Sequence, residues 1–157
     1  MKSYILLLIP FFIACEEAVS ISEYDFTIIN YSFNDAALAP EYHRSYVIDV
    51  TPSEVTVTVD SYGDTLAEAQ FPLATADLNN LLNAINQAEL RSGDSGPSEG
   101  CDGGWSESLS IENAEGQIYS GYFDHCGGNA IPASLGDIEA VVEAMEALIP
   151  NLSDLVE

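Results

Sequence analysis

The stretch YVIDVTPSEVTVTVDSYGDTLAEAQF, residues 46–71, predicts three closely spaced β-strands. Apolar and polar side chains alternate in each segment, most clearly where Val55, Val57 and Val59 are separated by threonines, and this period of two is typical of half-buried strands. A Thr-Pro-Ser and a Tyr-Gly-Asp triplet mark the turns between segments. Because short connections join antiparallel neighbours, the stretch indicates a β-meander.

The segments around this meander predict one more strand and a helix. Residues 24–28 alternate like a strand, and residues 33–43 break the pattern and indicate a loop. Apolar residues at helical spacing predict a helix over 75–90, with Thr75 as its N-cap. Residues 92–104 are rich in serine, glycine and acidic residues, a composition that favours a loop.

The chain next predicts a β-hairpin around Asn-Ala-Glu-Gly at 113–116, which suits a type I turn closed by a left-handed glycine. If Asn113 pairs with Gln117, then Glu107 faces Phe123 across the hairpin. The same parity places Trp105 and several apolar residues on one face and serines on the other.

A second helix is predicted after Ser134, which forms with Asp137 a pattern that resembles a capping box, and Pro150 ends it. The predicted fold class is therefore α+β, an antiparallel β-sheet (meander plus hairpin) with two helices packed on one face. The outer, solvated side of the second helix is expected to carry three glutamates, Glu139, Glu143 and Glu146.

The N-terminus has the pattern of an export signal. Met1 and Lys2 precede an apolar run that is too short to span a bilayer, and Phe-Ile-Ala-Cys at 12–15 resembles the lipobox of bacterial lipoproteins. The resemblance implies a signal peptide at 1–14, a lipid on Cys15 and a location in the cell envelope, anchored to the outer membrane and facing the periplasm or the surface. Residues 15–23 are then a tether, and residues 24–157 form a single acidic domain.

The charge of the chain limits its partners. The sequence has 26 acidic residues against 3 lysines and arginines, for a net charge of −23, and only Arg44 and Arg91 are basic beyond the signal peptide. Such a surface repels nucleic acid, which excludes nucleic-acid binding. Adaptation to a salty exterior is the favoured explanation of the acidity, and binding of a cationic partner is the alternative that the sequence leaves open.

Two cysteines remain once Cys15 is assigned to the lipid. In an oxidising envelope, Cys101 and Cys126 predict one disulfide, which closes the open end of the hairpin. No CxxC or histidine-rich spacing accompanies them, so zinc is not expected.

The pentapeptide Gly-Asp-Ser-Gly-Pro at 93–97 resembles the nucleophile loop of chymotrypsin-like serine proteases, although it is one glycine short. The resemblance implies catalysis by Ser95, but about 140 residues with two helices do not build the two β-barrels of that family. His125 next to Asp124 is the other candidate for chemistry, without an adjacent nucleophile. No catalytic residue is therefore predicted.

The acidic loop and one sheet face are the remaining candidate sites. Asp94, Glu99 and Asp102 supply hard oxygens on a glycine-rich loop and predict a possible Ca²⁺ site, and no other cofactor is expected. Tyr122 and Ile118 lie on the hairpin face opposite Trp105, where we expect a protein or carbohydrate partner.

These features predict a lipid-anchored envelope protein that binds a ligand or supports an assembly and is not an enzyme. The alternative is a small envelope hydrolase, or a Ca²⁺-dependent binding module, that uses the 94–102 loop and His125. A concave pocket where His125 or Ser95 meets a second titratable group would favour the enzyme, and a flat surface would favour the binding module.

Overall fold

The computed structural model describes residues 18–22, 25–94, 103–125 and 135–157, in which a seven-stranded, mostly antiparallel sheet is combined with three helices. The α+β class is thereby confirmed. The strand order is β4-β3-β2-β1-β6-β7-β5, and only the β5–β7 pair is parallel among the described strands. The elements are β1 (Ile28–Asn34), β2 (Ser45–Val50), β3 (Glu54–Ser61), β4 (Asp64–Pro72), α1 (Thr75–Gln87), β5 (Gly93–Asp94), β6 (Trp105–Asn113), β7 (Gly116–His125), α2 (Ile138–Glu146) and α3 (Leu152–Leu155).

The predicted meander is present as β2, β3 and β4, which pair antiparallel in chain order. The first strand differs from its prediction, because β1 begins at Ile28 and continues to Asn34, into the segment expected to be a loop. This strand pairs with β2 on one side and with β6 on the other, so Ile29 lies between Val50 and Ile111. The pairs with β6, which is distant in sequence, run from Ile28 to Asn34, so β6 sets the length of β1.

The hairpin of β6 and β7 has the predicted pairs but a different turn. Asn113 pairs with Gly116, so the expected Asn113–Gln117 pair is wrong. A bulge between Glu112 and Ile111 then restores the expected register, in which Glu107 lies opposite Phe123. The glycine has φ 134°, and the Asn113 side chain accepts hydrogen bonds from the turn backbone at 2.9 and 3.1 Å, as suits this tight connection.

The helix ends and one loop also depart from their predictions. The N-cap of α1 is Ala74 rather than Thr75, and α1 ends at Gln87, three residues early. The N-cap of α2 is Asp137, whose side chain accepts a hydrogen bond from the Ala140 amide at 3.2 Å, so α2 begins later than expected. Part of the predicted 92–104 loop forms β5, and α3 was not predicted.

The two faces of the sheet differ in polarity because successive side chains point to opposite sides. One face, called the core face, shares a single hydrophobic cluster with the buried residues of α1 and α2. The other, called the polar face, carries half-buried serine, threonine and asparagine side chains. The largest buried side chains of the core face are Ile29, Tyr31, Ile48, Leu109, Ile111, Tyr119 and Phe123.

Part of the segment predicted as a tether lies against the domain. Ile21 is buried, and the Asn86 side chain of α1 makes hydrogen bonds of 2.9 Å to both its amide and its carbonyl. The Val19 amide donates to the Leu90 carbonyl at 2.9 Å. Within the described ranges, no helix combines the length and apolar character needed to cross a membrane.

Candidate functional site

A cavity of about 890 Å³ opens where the end of α1, the ends of β6 and β7, and α2 meet. Its volume falls in the range of small-molecule binding sites, about 300–1,000 Å³. Trp105, the single tryptophan of the chain, forms part of the wall. Six of the residues that line it are acidic, namely Glu89, Glu107, Asp137, Glu139, Glu143 and Glu146.

The sheet side of the cavity contains a histidine–glutamate pair. The β6–β7 register places Trp105 opposite His125, and their rings stack with centroids 3.5 Å apart and planes 9° apart. The Nε2 atom of His125 lies 3.2 Å from Oε2 of Glu107, and the two side chains are 17% and 12% exposed. Because a carboxylate only accepts hydrogen bonds, this contact requires Nε2 to carry a hydrogen, which assigns the lone pair of a neutral imidazole to Nδ1.

The buried Tyr31 and the half-buried Tyr46 each hold one carboxylate of the cavity in place. Tyr31 donates to Oε1 of Glu107 at 2.9 Å, and Tyr46 donates to Oε1 of Glu146 at 2.6 Å. Burial raises the pKa of both phenols above the usual tyrosine range. For Tyr31, the neighbouring Tyr46 and Glu107 raise the pKa further. For Tyr46, the hydrogen bond to Glu146 raises the pKa further. Both phenols therefore remain neutral donors at physiological pH.

The glutamates of α2 are not simply solvated. Glu139, Glu143 and Glu146 were predicted on the outer side of the second helix, but all three line the cavity. Glu146 is half-buried, whereas the other two are exposed. The expected solvated side therefore holds for Glu139 and Glu143, whereas Glu146 is half-buried and accepts a hydrogen bond from Tyr46, a contact that the periodicity of α2 does not reveal.

A short strap joins the two helical walls of the cavity. Asp137 donates its amide to the Ala88 carbonyl at 2.8 Å, and the Arg91 amide donates to the Leu135 carbonyl at 3.1 Å. Gly136 lies between these contacts with φ 97°, and a Cβ atom there would be 2.5 Å from the Ala88 carbonyl oxygen. Only glycine fits this position without strain, so the strap depends on it.

The residues predicted for Ca²⁺ are placed only in part. Asp94 is exposed in β5, paired with Tyr122 of β7, while Glu99 and Asp102 lie outside the described residues. Among the residues that the structure describes, no three His, Cys, Asp or Glu side chains are grouped closely enough to hold a metal ion. The Ca²⁺ site stays a prediction.

Of the two predicted binding residues, Tyr122 lies on the polar face, is 45% exposed and donates to Asp124 Oδ1 at 3.0 Å. Ile118 is half-buried and packs against the hydrophobic core, so it is not available on that face as expected. Cys15, Cys101, Cys126 and Ser95 fall in parts of the chain that the structure does not describe, so the lipid, the disulfide and the rejected nucleophile remain untested.

A second histidine is buried away from the cavity. His43 is 5% exposed and stacks on Tyr62 with ring centroids 3.9 Å apart, and its Nε2 lies 3.4 Å from Ser45 Oγ. Its Nδ1 has no hydrogen-bond partner among the described residues. Tyr62 has φ 54°, a strained value for a tyrosine, and its hydroxyl group donates to the Leu38 carbonyl at 2.6 Å. These contacts fasten the 35–43 loop to the β3–β4 turn.

Sequence reasoning identified His125 but missed its partners Glu107, Tyr31, Tyr46 and Glu146. One signal was present, because the predicted register already placed Glu107 opposite Phe123 on the apolar face, where a carboxylate is unusual. Comparison of the chain with models of known protein families and with curated proteins gives no match, so the site is interpreted from its own geometry.

Proposed function

We propose that this chain is a lipid-anchored envelope protein that binds a small ligand in the cavity between α1, α2 and the β6–β7 hairpin, and that it does not catalyse a reaction. The lipobox-like Phe-Ile-Ala-Cys at 12–15 supports the anchor. We also infer that α1 and α2 both cover the core face of the sheet, since their buried residues share its hydrophobic cluster.

The inward-facing, largely buried carboxylate of Glu107 is the observation that carries the binding proposal. Its side chain is 12% exposed and lies on the core face, where it faces the cavity with one oxygen bonded to Tyr31 and the other to His125. Burial of a carboxylate is costly, and adaptation of the surface to salt does not require one on an inward-facing position. A ligand site gives a physical reason for retaining it.

The test uses Trp105, whose fluorescence reports on the cavity without labels. The purified protein is titrated with cadaverine, pentane-1,5-diol, glutarate, glucose and N-acetylglucosamine, with calorimetry as the second measurement. We expect at least one compound to bind, and Val142→Phe, which fills the cavity from α2, to abolish the binding. The matched control is Val47→Phe, on the polar face. Absence of binding by every compound, or equal binding by Val142→Phe, contradicts the proposal.

A small hydrolase is the second candidate, and the criterion given for the sequence favours it, because His125 meets the titratable Glu107 in a concave site rather than on a flat surface. A histidine whose Nε2–H is held by a carboxylate presents Nδ1 as a general base. The discriminating assay uses 4-nitrophenyl acetate, 4-nitrophenyl phosphate and 4-nitrophenyl glucoside. The binding proposal expects no turnover. Hydrolysis that is lost in His125→Gln and retained in His43→Gln would establish the enzyme instead.

The anchor and the two other predicted sites have their own tests. Radiolabelled palmitate should be incorporated by the wild-type protein and not by Cys15→Ser. Calcium titration by calorimetry decides the site proposed for Asp94, Glu99 and Asp102. The polar face remains a proposed protein or carbohydrate surface, supported by the exposed Tyr122 ring.

A further inference from the structure

We propose that the ligand of the cavity is an organic cation, a molecule or side chain that presents an ammonium or guanidinium group to the carboxylates. The inference rests on the proposed function, because it names the chemical class of the ligand for the same cavity. It adds the sign of the ligand's charge, which the volume of the cavity leaves open.

The lining of the cavity carries an uncompensated negative charge. Among the fourteen residues that line it, six are acidic, and Arg91 is the one permanent cation. Arg91 already lies 3.8 Å from Glu89, and His125 is the partner of Glu107. Within the described part of the chain, no ion pair neutralises Glu139, Glu143 or Glu146. A concave site lined by one sign of charge concentrates ions of the opposite sign.

The carboxylates occupy two walls of the cavity. Glu107 is on strand β6 of the sheet, and three glutamates project from α2. Tyr31 donates to one oxygen of Glu107, and Tyr46 donates to one oxygen of Glu146. These hydrogen bonds fix the orientation of both carboxylates before a ligand arrives. The remaining oxygen of Glu146 is an acceptor for a ligand N–H group. An ammonium or guanidinium group matches this set because it only donates hydrogen bonds.

Other classes of ligand fit less well. An anion would stand among six carboxylates with a single arginine that is already paired. A neutral ligand would leave the charge of the half-buried Glu146 uncompensated. The surface of this protein is acidic throughout, so the experiment has to separate the cavity from the general charge.

The experiment compares three five-carbon probes that differ only in their end groups, cadaverine, pentane-1,5-diol and glutarate. Binding is followed by Trp105 fluorescence and calorimetry in 0.15 M salt. We expect cadaverine to bind at least about tenfold more tightly than the diol, and glutarate not to bind, since a factor of ten is about 1.4 kcal/mol. The peptides Gly-Lys-Gly and Gly-Arg-Gly then show whether a basic side chain binds as well as a free amine.

Charge reversal provides the matched control. Glu143→Arg and Glu115→Arg both replace an exposed glutamate, but only Glu143 lines the cavity, while Glu115 lies at the tip of the β6–β7 hairpin. We expect Glu143→Arg to weaken cadaverine binding at least about tenfold and Glu115→Arg to change it less than about threefold. Equal weakening by both variants would assign the effect to general charge and overturn the inference.

The outcomes separate the two proposals. If the diol or glutarate binds at least as tightly as cadaverine and Val142→Phe abolishes that binding, the cationic ligand is refuted while the binding function stands. If only glucose or N-acetylglucosamine binds, the cationic ligand is likewise refuted while the binding function stands, and if no compound binds, both proposals fail. Binding of cadaverine that is lost in Val142→Phe and in Glu143→Arg, and retained in Glu115→Arg, supports both.

Discussion

Raising the pH above 10 should unfold this protein because three of its tyrosines are held neutral by the fold. Tyr31 and Tyr119 are buried and Tyr46 is half-buried, and removal from water raises the pKa of each above the ordinary value of about 10. In the unfolded chain the same phenols ionise near pH 10. The stability that they support is therefore complete below pH 10 and declines as the pH rises further, since the unfolded state then binds fewer protons.

The size of the effect follows from the number of protons. Each tyrosine that stays neutral in the folded state costs about 1.4 kcal/mol of stability at pH 11 and about 2.7 kcal/mol at pH 12. The three together cost roughly 4 and roughly 8 kcal/mol at these pH values, against a total stability of about 5–15 kcal/mol for an ordinary domain. The chain has no lysine beyond Lys2, so lysine deprotonation does not obscure the transition.

The assay follows tyrosinate absorbance at 295 nm and circular dichroism over the same pH range, with urea unfolding at pH 9, 10 and 11. Tyr31→Phe should reduce the loss of stability between pH 9 and pH 11 by about 1.4 kcal/mol. Tyr42→Phe is the control, because the Tyr42 side chain is 70% exposed. If every tyrosine ionises near pH 10 while the circular dichroism stays that of the folded protein, the reasoning is refuted.

Two further substitutions test the packing of the hairpin and its proposed disulfide. A Cβ atom at Gly121 would lie 2.5 Å from the Tyr119 hydroxyl oxygen. Gly121→Ala should therefore lower the free energy of unfolding in urea by about 1–3 kcal/mol. The control Ser120→Ala, at an exposed position, should change it by less than about 0.5 kcal/mol. An unchanged unfolding midpoint for Gly121→Ala would show that the rings yield without cost. Cys101→Ser should lower the free energy of unfolding by about 3.5 kcal/mol, because it opens the proposed ring of about 26 residues closed with Cys126. A reducing agent should lower the stability of the wild-type protein by the same amount and leave the stability of the variant unchanged. Equal wild-type stability with and without reductant would rule out a stabilising disulfide.

The strands were predictable because alternation is a local property. Val55, Val57 and Val59 face the core as expected, and their positions depend only on which side of β3 is buried. The hairpin shows the limit of this reasoning. Asn113 pairs with Gly116 instead of Gln117, and a bulge between Ile111 and Glu112 shifts the register back by one residue. The expected pairs around Glu107 are therefore present, but the local sequence pattern does not indicate the bulge on which they depend.

The helix ends were less predictable because tertiary contacts choose them. Asp137 takes the N-cap position of α2 while its own amide is bonded to Ala88 at the end of α1. Ser134, the predicted cap, lies outside the described residues. Gly136 allows this connection by adopting a positive φ, and the sequence offers no sign that Ala88 is its neighbour.

The meander, the hairpin, the two longer helices, the acidity and the inward parity of Glu107 follow from residues close together in the chain or from composition, so they could be predicted. The meeting of Glu107 and His125 of the hairpin with the glutamates of α2 around one cavity, beside the end of α1, depends on the tertiary structure. These contacts join segments up to about sixty residues apart, and they depend on the order of the strands and on how the helices approach each other. Local periodicity contains neither, which is why the cavity and the partial burial of Glu146 in its wall could not be predicted.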